Sequence, residues 1–197
     1  RIPLLFSDDE LPSVSIIIPA YNEEKTIEKT IKSALASDYP KGKFEIIVIN
    51  NNSTDNTLKI AKQYESKIVK VYTEKNQGKG FALNLGIKKS NGEILVTMDA
   101  DTRVEPHSLK SMMRYFKDKT VMSVCPAMVI DKPKNILQRI QYIEYILGLF
   151  LRKTFAFLNA VHITPGAFSG YRREFFDKHG DYQGISITKD LVKALGK

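Results

Sequence analysis

The sequence predicts an α/β fold in which a mostly parallel sheet carries helices on both faces. Short apolar runs of strand length alternate along the chain with segments of helical character, which is typical of parallel sheets. Polar clusters at 19–24, 50–57, 74–80 and 99–103 each follow one of these runs. Because ligands of such sheets bind beyond the carboxyl ends of the strands, the four clusters predict one shared site.

The first two strands are the clearest elements. The apolar run 13–19 predicts a buried strand that Pro19 ends, and a helix is expected over 21–36. The apolar run 44–49 predicts the second strand. A turn of the sequence N-N-N-S-T-D-N-T follows it and leads into a helix that ends near Tyr64.

The next elements repeat the pattern. A short third strand is predicted at 68–72, and Gly78 and Gly80 indicate a turn before a helix over 81–89. The dipeptide Asn-Gly then forms a tight turn, and the fourth strand is predicted at 93–98.

The second half of the chain is less regular. A helix begins at Pro106, a residue suited to a first helical turn, and a fifth strand follows over 121–130. The long apolar helix expected over 136–158 contains charged residues, so it is not an ordinary transmembrane helix. Its apolar face either packs on the domain or lies in a membrane interface. After Gly166 we expect a loop, with short helices near 172–177 and from 189.

Composition limits the function classes. The chain has 197 residues, of which 43% are hydrophobic, and we expect an N-terminal extension over 1–12 and a single domain over 13–197. The formal net charge of +8 fits phosphate-rich small molecules, nucleic acid or an anionic membrane surface. The net charge is the only feature that suggests a nucleic-acid partner, so we do not expect one. One cysteine, Cys125, excludes an internal disulfide and favours an intracellular protein.

Two aspartates, Asp99 and Asp101, follow the fourth strand one residue apart. Such a pair occurs in turns and helix caps, but two like charges at a ligand-binding edge also suit a bound cation. Oxygen ligands without His or Cys favour Mg²⁺ or Mn²⁺, and such sites commonly share the metal with substrate phosphates.

Several other chemistries lack their motifs. The sequence has no Walker loop, and no G-x-G-x-x-G follows the first strand, so a P-loop NTPase or a classical dinucleotide fold is not expected. Ser169 lacks the G-x-S-x-G frame of a Ser-His-Asp hydrolase.

Five stretches together resemble the successive motifs of the family 2 glycosyltransferases: S-I-I-I-P-A-Y-N-E-E, V-I-N-N-N-S-T-D-N-T, N-Q-G-K-G-F-A-L-N-L-G, M-D-A-D-T and G-A-F-S-G-Y-R-R-E. The similarity covers about residues 13–190. It implies the GT-A fold, a Rossmann-like mostly parallel sheet, and an inverting transferase. The segment that ends in P-G-A-F-S-G is most similar to the membrane-associated polysaccharide synthases.

The resemblance implies roles for individual residues. Asp99 and Asp101 would bind the metal, Mg²⁺ or Mn²⁺. Asn51 stands where the family has an aspartate that accepts a hydrogen bond from uracil, and an amide oxygen can still accept it. The residues expected around the nucleotide sugar are Pro19, Ala20, Tyr21, Glu23, Asn51, Lys79, Asp99 and Ala100.

The resemblance also implies a catalytic base. The family's T-E-D motif corresponds to Thr188-Lys189-Asp190, so Asp190 is the candidate base for the acceptor hydroxyl. Lys189 departs from the motif and places a cation beside that carboxylate, which weakens it as a base. On the acceptor side we expect Gly166, Ser169 and Gly170.

The implied function is transfer of a sugar from a nucleoside-diphosphate sugar, expected to be a UDP-sugar, to an acceptor hydroxyl in polysaccharide or glycolipid synthesis. The implied partners are that donor, a saccharide or lipid-linked acceptor and a possible membrane surface. We expect a domain truncated at its C-terminus, from a longer protein at the cytoplasmic face of a membrane. The alternative is a catalytically weak nucleotide-sugar-binding module.

Overall fold

A computed structural model of the chain describes residues 7–127, 135–157 and 167–180. The described strands are β1 (Val14–Ala20), β2 (Phe44–Asn50), β3 (Val69–Thr73), β4 (Ile94–Met98), β5 (Ser123–Val124) and β6 (Phe168–Arg172). The α-helices are α1 (Ile27–Leu35), α2 (Thr57–Lys62), α3 (Lys79–Lys89), α4 (Ser108–Met113), α5 (Ile136–Phe157) and α6 (Arg173–His179). Short 3₁₀ helices cover Asp8–Glu10 and Arg114–Lys117.

The strands form one sheet in the order β3-β2-β1-β4-β6-β5. The strands β1 to β4 run parallel, and β6 runs antiparallel to both β4 and β5. From β1 the chain first proceeds outward through β2 and β3, and it then returns to place β4 on the other side of β1. This reversal creates a crevice at the carboxyl ends of β1 and β4, where ligands of such folds bind.

Helices cover both faces of the sheet, as the sequence predicts. Alternate residues of a strand point to opposite faces. Ile16 and Ile18 therefore pack with α1, α2 and α4 on one face, while Ile17 packs with α3 and α6 on the other. All three isoleucines are fully buried. The predicted α/β class with a mostly parallel sheet is confirmed.

Three predicted elements differ from the structure. The segment after Gly166 was expected to be a loop, and this prediction is wrong because 168–172 forms the strand β6. A Cβ added to Gly170 would lie 3.1 Å from a ring atom of Phe116. This glycine therefore lets Phe116 pack closely against the strand and does not mark a turn. Within the expected strand 121–130, only Ser123–Val124 is described as strand.

The third difference is the start of α1. The helix begins at Ile27 and not at Tyr21, because Asn22 has a φ of +53°, outside the right-handed helical region. The carbonyl of Glu23 accepts hydrogen bonds from the N–H groups of Thr26 and Ile27 and so begins the helical turn. This late start leaves residues 21–24 as a loop above β1.

Of the described residues, 7–125 and 167–180 form one compact unit, while 126–127 and 135–157 belong to a second. The single domain expected over 13–197 and the extension over 1–12 stay predictions. In the second unit, α5 has exposed large apolar side chains at Ile136, Leu137, Ile140, Ile143, Leu147 and Phe150, among others. No helix among the described residues is long and apolar enough to cross a membrane.

Candidate functional site

A cleft of about 450 Å³ lies at the crevice between the carboxyl ends of β1 and β4. Four loops surround it, one after each of the strands β1, β2, β3 and β4. The cleft is lined by Pro19, Ala20, Tyr21, Glu23, Asn51, Gln77, Gly78, Lys79, Asp99, Ala100 and Asp101. The four polar clusters of the sequence thus come together at one edge of the sheet.

Reciprocal hydrogen bonds join the loops that follow β1 and β2. The Asn22 N–H donates to Ser53 Oγ at 3.1 Å, and the Thr54 N–H donates to Asn22 Oδ1 at 2.8 Å. Asn22 and Asn52 both have positive φ angles, which asparagine tolerates better than most residues. These contacts fix the loop that carries Tyr21, whose side chain is 45% exposed.

A second set of hydrogen bonds lies behind Glu23. The Glu23 N–H donates to Thr57 Oγ1 at 2.7 Å, and the Glu24 N–H donates to Asp55 Oδ2 at 3.1 Å. Burial raises the pKa of Asp55, but hydrogen bonds from Thr57 and from the Glu24 N–H outweigh it, so this pKa lies below its usual value. The Glu23 carboxylate accepts a hydrogen bond from Thr26 Oγ1 at 2.6 Å, which orients it.

Asn51 connects β2 to the turn before α3. Its Nδ2 donates to the Asn76 carbonyl at 2.7 Å, and its Oδ1 accepts from the Gly78 N–H at 2.7 Å. The Asn51 backbone N–H donates to the Ala20 carbonyl, so this residue is also joined to the end of β1. Asn51 is 4% exposed.

The loop that carries the two aspartates is joined to two other segments by hydrogen bonds and is closed by one of its own. Thr30 Oγ1 in α1 donates to the Ala100 carbonyl at 2.7 Å, and both groups are buried. The Asp99 N–H donates to the Ala167 carbonyl, and the Thr102 N–H donates to the Asp99 carbonyl. The backbone between Asp99 and Thr102 is therefore held before any ligand binds.

The charged groups of the cleft are partly exposed. Lys79 Nζ lies 2.5 Å from Asp99 Oδ1, and the two side chains are 53% and 30% exposed. Asp101 is exposed beside them. A cation thus already lies against Asp99 in the ligand-free chain.

The donor set fits a hard divalent cation whose remaining ligands come from a substrate. Asp99 and Asp101 offer carboxylate oxygens, the ligand type that Mg²⁺ and Mn²⁺ prefer, and Lys79 shows that the Asp99 carboxylate is accessible to a positive charge. Among the residues that the structure describes, no three His, Cys, Asp or Glu side chains converge as a metal site. Two carboxylates suit a metal that is held jointly with substrate phosphates.

The cleft contains every described residue predicted for the nucleotide sugar and the metal. Their individual roles stay predictions. Gln77 and Gly78 also line the cleft, and the sequence analysis did not name them as site residues, although their polar cluster 74–80 marks the loop.

Of the residues predicted for the acceptor side and for catalysis, the structure describes Ser169 and Gly170. Ser169 and Gly170 are buried in β6 opposite Thr97 and Val96 of β4, and neither lines the cleft. Ser169 Oγ lies 3.3 Å from Cys125 Sγ. Gly166 and Asp190 lie outside the described residues. The roles expected for all four positions stay predictions.

Comparison with known proteins identifies the family. A family model described as glycosyl transferase family 2 matches residues 15–180. The chain belongs to this family. The chain is also 32% identical over 189 residues to a poly-β-1,6-N-acetyl-D-glucosamine synthase of Staphylococcus aureus strain COL. That alignment covers 93% of the chain but 45% of the synthase, so the chain spans about half the length of the curated relatives it matches.

Two solved structures show the same fold. The mannosyltransferase PcManGT of Pyrobaculum calidifontis, solved with GDP-Man and Mn²⁺, matches with a TM-score of 0.71 and 24% identity. That match covers 93% of the chain and 51% of PcManGT. Residues 1–349 of S. aureus TarS, solved with UDP-GlcNAc, match with a TM-score of 0.61 and 22% identity over 84% of the chain and 47% of TarS. The predicted GT-A fold of this family 2 chain is thereby confirmed.

Proposed function

We propose that this chain is the donor-binding and catalytic region of an inverting glycosyltransferase that uses a UDP-sugar in polysaccharide synthesis. The observation that carries the proposal is the cleft at the β1–β4 crevice, which brings together residues of four separate loops. The likeness to the poly-β-1,6-N-acetyl-D-glucosamine synthase supports a polysaccharide product and makes UDP-N-acetylglucosamine the donor to test first.

The cleft offers complementary groups along a nucleoside diphosphate. The exposed Tyr21 ring can stack on the base, since aromatic faces favour such contacts. Glu23, held by Thr26, can accept a hydrogen bond from a ribose hydroxyl. Lys79 at the start of α3 can donate to the diphosphate, because an ammonium group forms charge-assisted hydrogen bonds to phosphate oxygens.

Asp99 and Asp101 are the residues that would hold a divalent metal, Mg²⁺ or Mn²⁺. When bound, the metal would neutralise charge on the departing diphosphate. PcManGT was solved with both a nucleotide sugar and Mn²⁺, which supports the proposal of a metal here.

The proposed reaction is one displacement with inversion. The acceptor oxygen forms a bond to the anomeric carbon, and the bond between that carbon and the diphosphate oxygen breaks with its electron pair leaving on UDP. The hydroxyl proton passes to the carboxylate of Asp190, the base that the T-K-D sequence suggests. The cytoplasmic face of a membrane, where such a donor is available, stays the predicted location.

Calorimetric titration of the chain with UDP and Mn²⁺ tests the proposal. We expect binding that requires Mn²⁺ and is weakened at least tenfold in Asp101→Asn, with Asp177→Asn on the exposed side of α6 as the matched control. No binding by the wild-type chain would refute the proposed function. Binding that Asp101→Asn leaves unchanged would refute the metal role alone.

A catalytically weak binding module is the second candidate, because Lys189 stands where the family motif has an acidic residue. Hydrolysis of UDP-N-acetylglucosamine by the chain distinguishes the two candidates. A module without catalysis would bind the donor and leave it intact.

A further inference from the structure

Asn51 occupies the position at which the resemblance expects an aspartate that contacts the base, yet its side chain already has two protein partners. The amide donates to the Asn76 carbonyl and accepts from the Gly78 N–H, both at 2.7 Å. The orientation of the amide follows from these partners, because a carbonyl requires a donor and an N–H requires an acceptor. The residue is 4% exposed, so little of the amide faces the cleft.

A carboxylate could not make the same two contacts. An ionised aspartate only accepts hydrogen bonds, so at position 51 it could accept from the Gly78 N–H but would set an oxygen against the Asn76 carbonyl. Leaving a buried polar group without its partner is costly. The amide therefore satisfies both of its partners in this turn, which an aspartate at position 51 could not do.

The turn that Asn51 holds leads directly into Lys79. Gly78 precedes α3 with a φ of +139°, a conformation that glycine adopts readily and other residues rarely do. Lys79 is the next residue and the first of α3, and its ammonium group reaches Asp99. A shift of the 76–78 turn would move the start of α3 and withdraw the Lys79 ammonium from the cleft.

We propose that Asn51 is a positioning residue that fixes the 76–78 turn, and through it Lys79, for the diphosphate part of the donor. Its side chain is committed to the turn and does not select the base. The proposal rests on the proposed function for the identity of the ligand, but the contact between Asn51 and Gly78 exists in the ligand-free chain and can be tested there.

The first experiment follows hydrogen exchange of the Gly78 amide by NMR in the ligand-free protein. We expect at least tenfold faster exchange in Asn51→Ala and a smaller increase in Asn51→Asp, which keeps the acceptor but loses the donor. The matched control is Asn52→Gly, the exposed neighbour with a φ of +58°, and it should exchange as the wild type does. Unchanged exchange in Asn51→Ala would overturn the proposal, whether or not the chain binds UDP.

The second experiment compares affinities for UDP with Mn²⁺ and for uridine, which lacks phosphates. We expect Asn51→Ala to weaken UDP binding about tenfold and to leave uridine binding within twofold of the wild type. The loss should not add to that of Lys79→Ala, because Asn51 acts through Lys79. An equal loss for uridine and UDP would show that Asn51 contacts the base, and additive losses would show that it does not act through Lys79. Either result would overturn the proposal.

A further variant covers the case in which Asn51→Ala does not fold. Gly78→Ala strains the same turn from the other side while Asn51 stays intact, because alanine disfavours a φ of +139°. It should reproduce the selective loss of UDP affinity. Failure of the wild-type chain to bind UDP would refute the proposed function, and the exchange measurement would still decide the role of Asn51.

Discussion

Lys79 Nζ lies 2.5 Å from Asp99 Oδ1, so a protein cation holds the carboxylate that is proposed to bind the metal. The Lys79 side chain is more than half exposed to solvent, and solvent-exposed ion pairs contribute little to stability. The contact can therefore break at small cost. A metal and Lys79 cannot both use this oxygen without repelling each other, which relates metal binding to the position of the lysine.

We predict that Lys79→Ala has opposite effects on two ligands. Mn²⁺ alone should bind more tightly, by about threefold to tenfold, because the competing ammonium is gone. UDP in the presence of Mn²⁺ should bind more weakly, because the diphosphate loses a cationic donor. Electron paramagnetic resonance of free Mn²⁺ and calorimetry with UDP measure the two affinities.

Lys88→Ala is the control for this prediction, since Lys88 is exposed near the other end of α3. It removes the same charge from the same helix and should change neither affinity. Weaker binding of Mn²⁺ alone in Lys79→Ala would show that the lysine supports the metal site and does not compete with it.

The hydrogen bond from Thr30 to the Ala100 carbonyl gives a second prediction. Thr30→Val has nearly the same shape but leaves a buried acceptor without its donor, so the free energy of unfolding should fall by about 1–3 kcal/mol. UDP binding with Mn²⁺ should weaken as well, because the loop between Asp99 and Asp101 loses its anchor to α1. Urea denaturation and calorimetry measure the two effects.

Thr30→Ser separates the hydroxyl from the methyl group. It keeps the hydrogen bond and should retain the affinity for UDP with Mn²⁺, although loss of a buried methyl lowers stability by about 1 kcal/mol. Equal weakening of UDP binding in both variants would mean that packing of α1, and not the hydrogen bond, holds the loop.

The sequence predicts the parallel part of the sheet well because β1, β2 and β4 are continuous apolar runs buried on both faces, a pattern that few other structures produce. It also predicts which loops form the cleft, since strand direction alone places the carboxyl ends together. The strand β6 was missed because it pairs with β4 through residues that are 70 to 78 positions apart in the sequence. No local pattern in F-S-G-Y-R, with its central glycine, indicates such a partner.

The side-chain contacts of the site were less predictable for the same reason. The pairing of Asn51 with the turn at Gly78 joins residues 27 positions apart, and the triplet N-N-N by itself indicates only a turn. Comparison with the family motif shows only that Asn51 replaces an aspartate. Only the structure shows that its amide has two backbone partners.

Gly86 in α3 gives a third prediction. A Cβ at this position would lie 2.3 Å from Cγ2 of Ile17, which is fully buried in β1. Alanine normally favours a helix over glycine by about 1 kcal/mol, but overpacking a filled core costs about 1–3 kcal/mol. Gly86→Ala should therefore lower the free energy of unfolding, which denaturation in urea measures.

The double variant Gly86→Ala with Ile17→Ala checks the cause. Removing the Ile17 side chain makes room for the new methyl group, so the double variant should be more stable than the sum of the two single losses predicts. Additive losses would place the effect of Gly86→Ala in the helix and not in its contact with β1.

The lowered pKa of Asp55 gives a prediction about acid stability. The unfolded-state pKa of an aspartate is about 3.9, and the folded-state pKa of Asp55 is lower. Its carboxylate therefore stabilises the fold at pH values above about 3.9. The contribution is lost as the pH falls through the folded-state pKa. Asp55→Asn should cost on the order of 1 kcal/mol at pH 7 and should reduce the loss of stability below about pH 4.

Unfolding in urea between pH 2 and pH 7 measures this dependence. Glu65→Gln, which changes an exposed carboxylate just after α2, should keep the wild-type slope. An unchanged slope in Asp55→Asn would mean that other carboxylates cause the acid loss, with Glu45 the first to test. Burial raises the pKa of Glu45, but hydrogen bonds from Lys70, Ser15 and the Asn91 N–H outweigh it, so this pKa also lies below its usual value.

The last prediction concerns Asp190, for which the sequence is the only guide. If its carboxylate receives the acceptor proton, Asp190→Asn should lower transfer or hydrolysis of UDP-N-acetylglucosamine by about 100-fold or more, since general bases contribute at that scale. The affinity for UDP with Mn²⁺ should stay the same, because the base acts on the acceptor and not on the nucleotide. Asp177→Asn is the control for both measurements. If Asp190→Asn keeps the wild-type turnover, Asp190 is not the base. If it loses UDP affinity by the same factor as turnover, Asp190 belongs to donor binding.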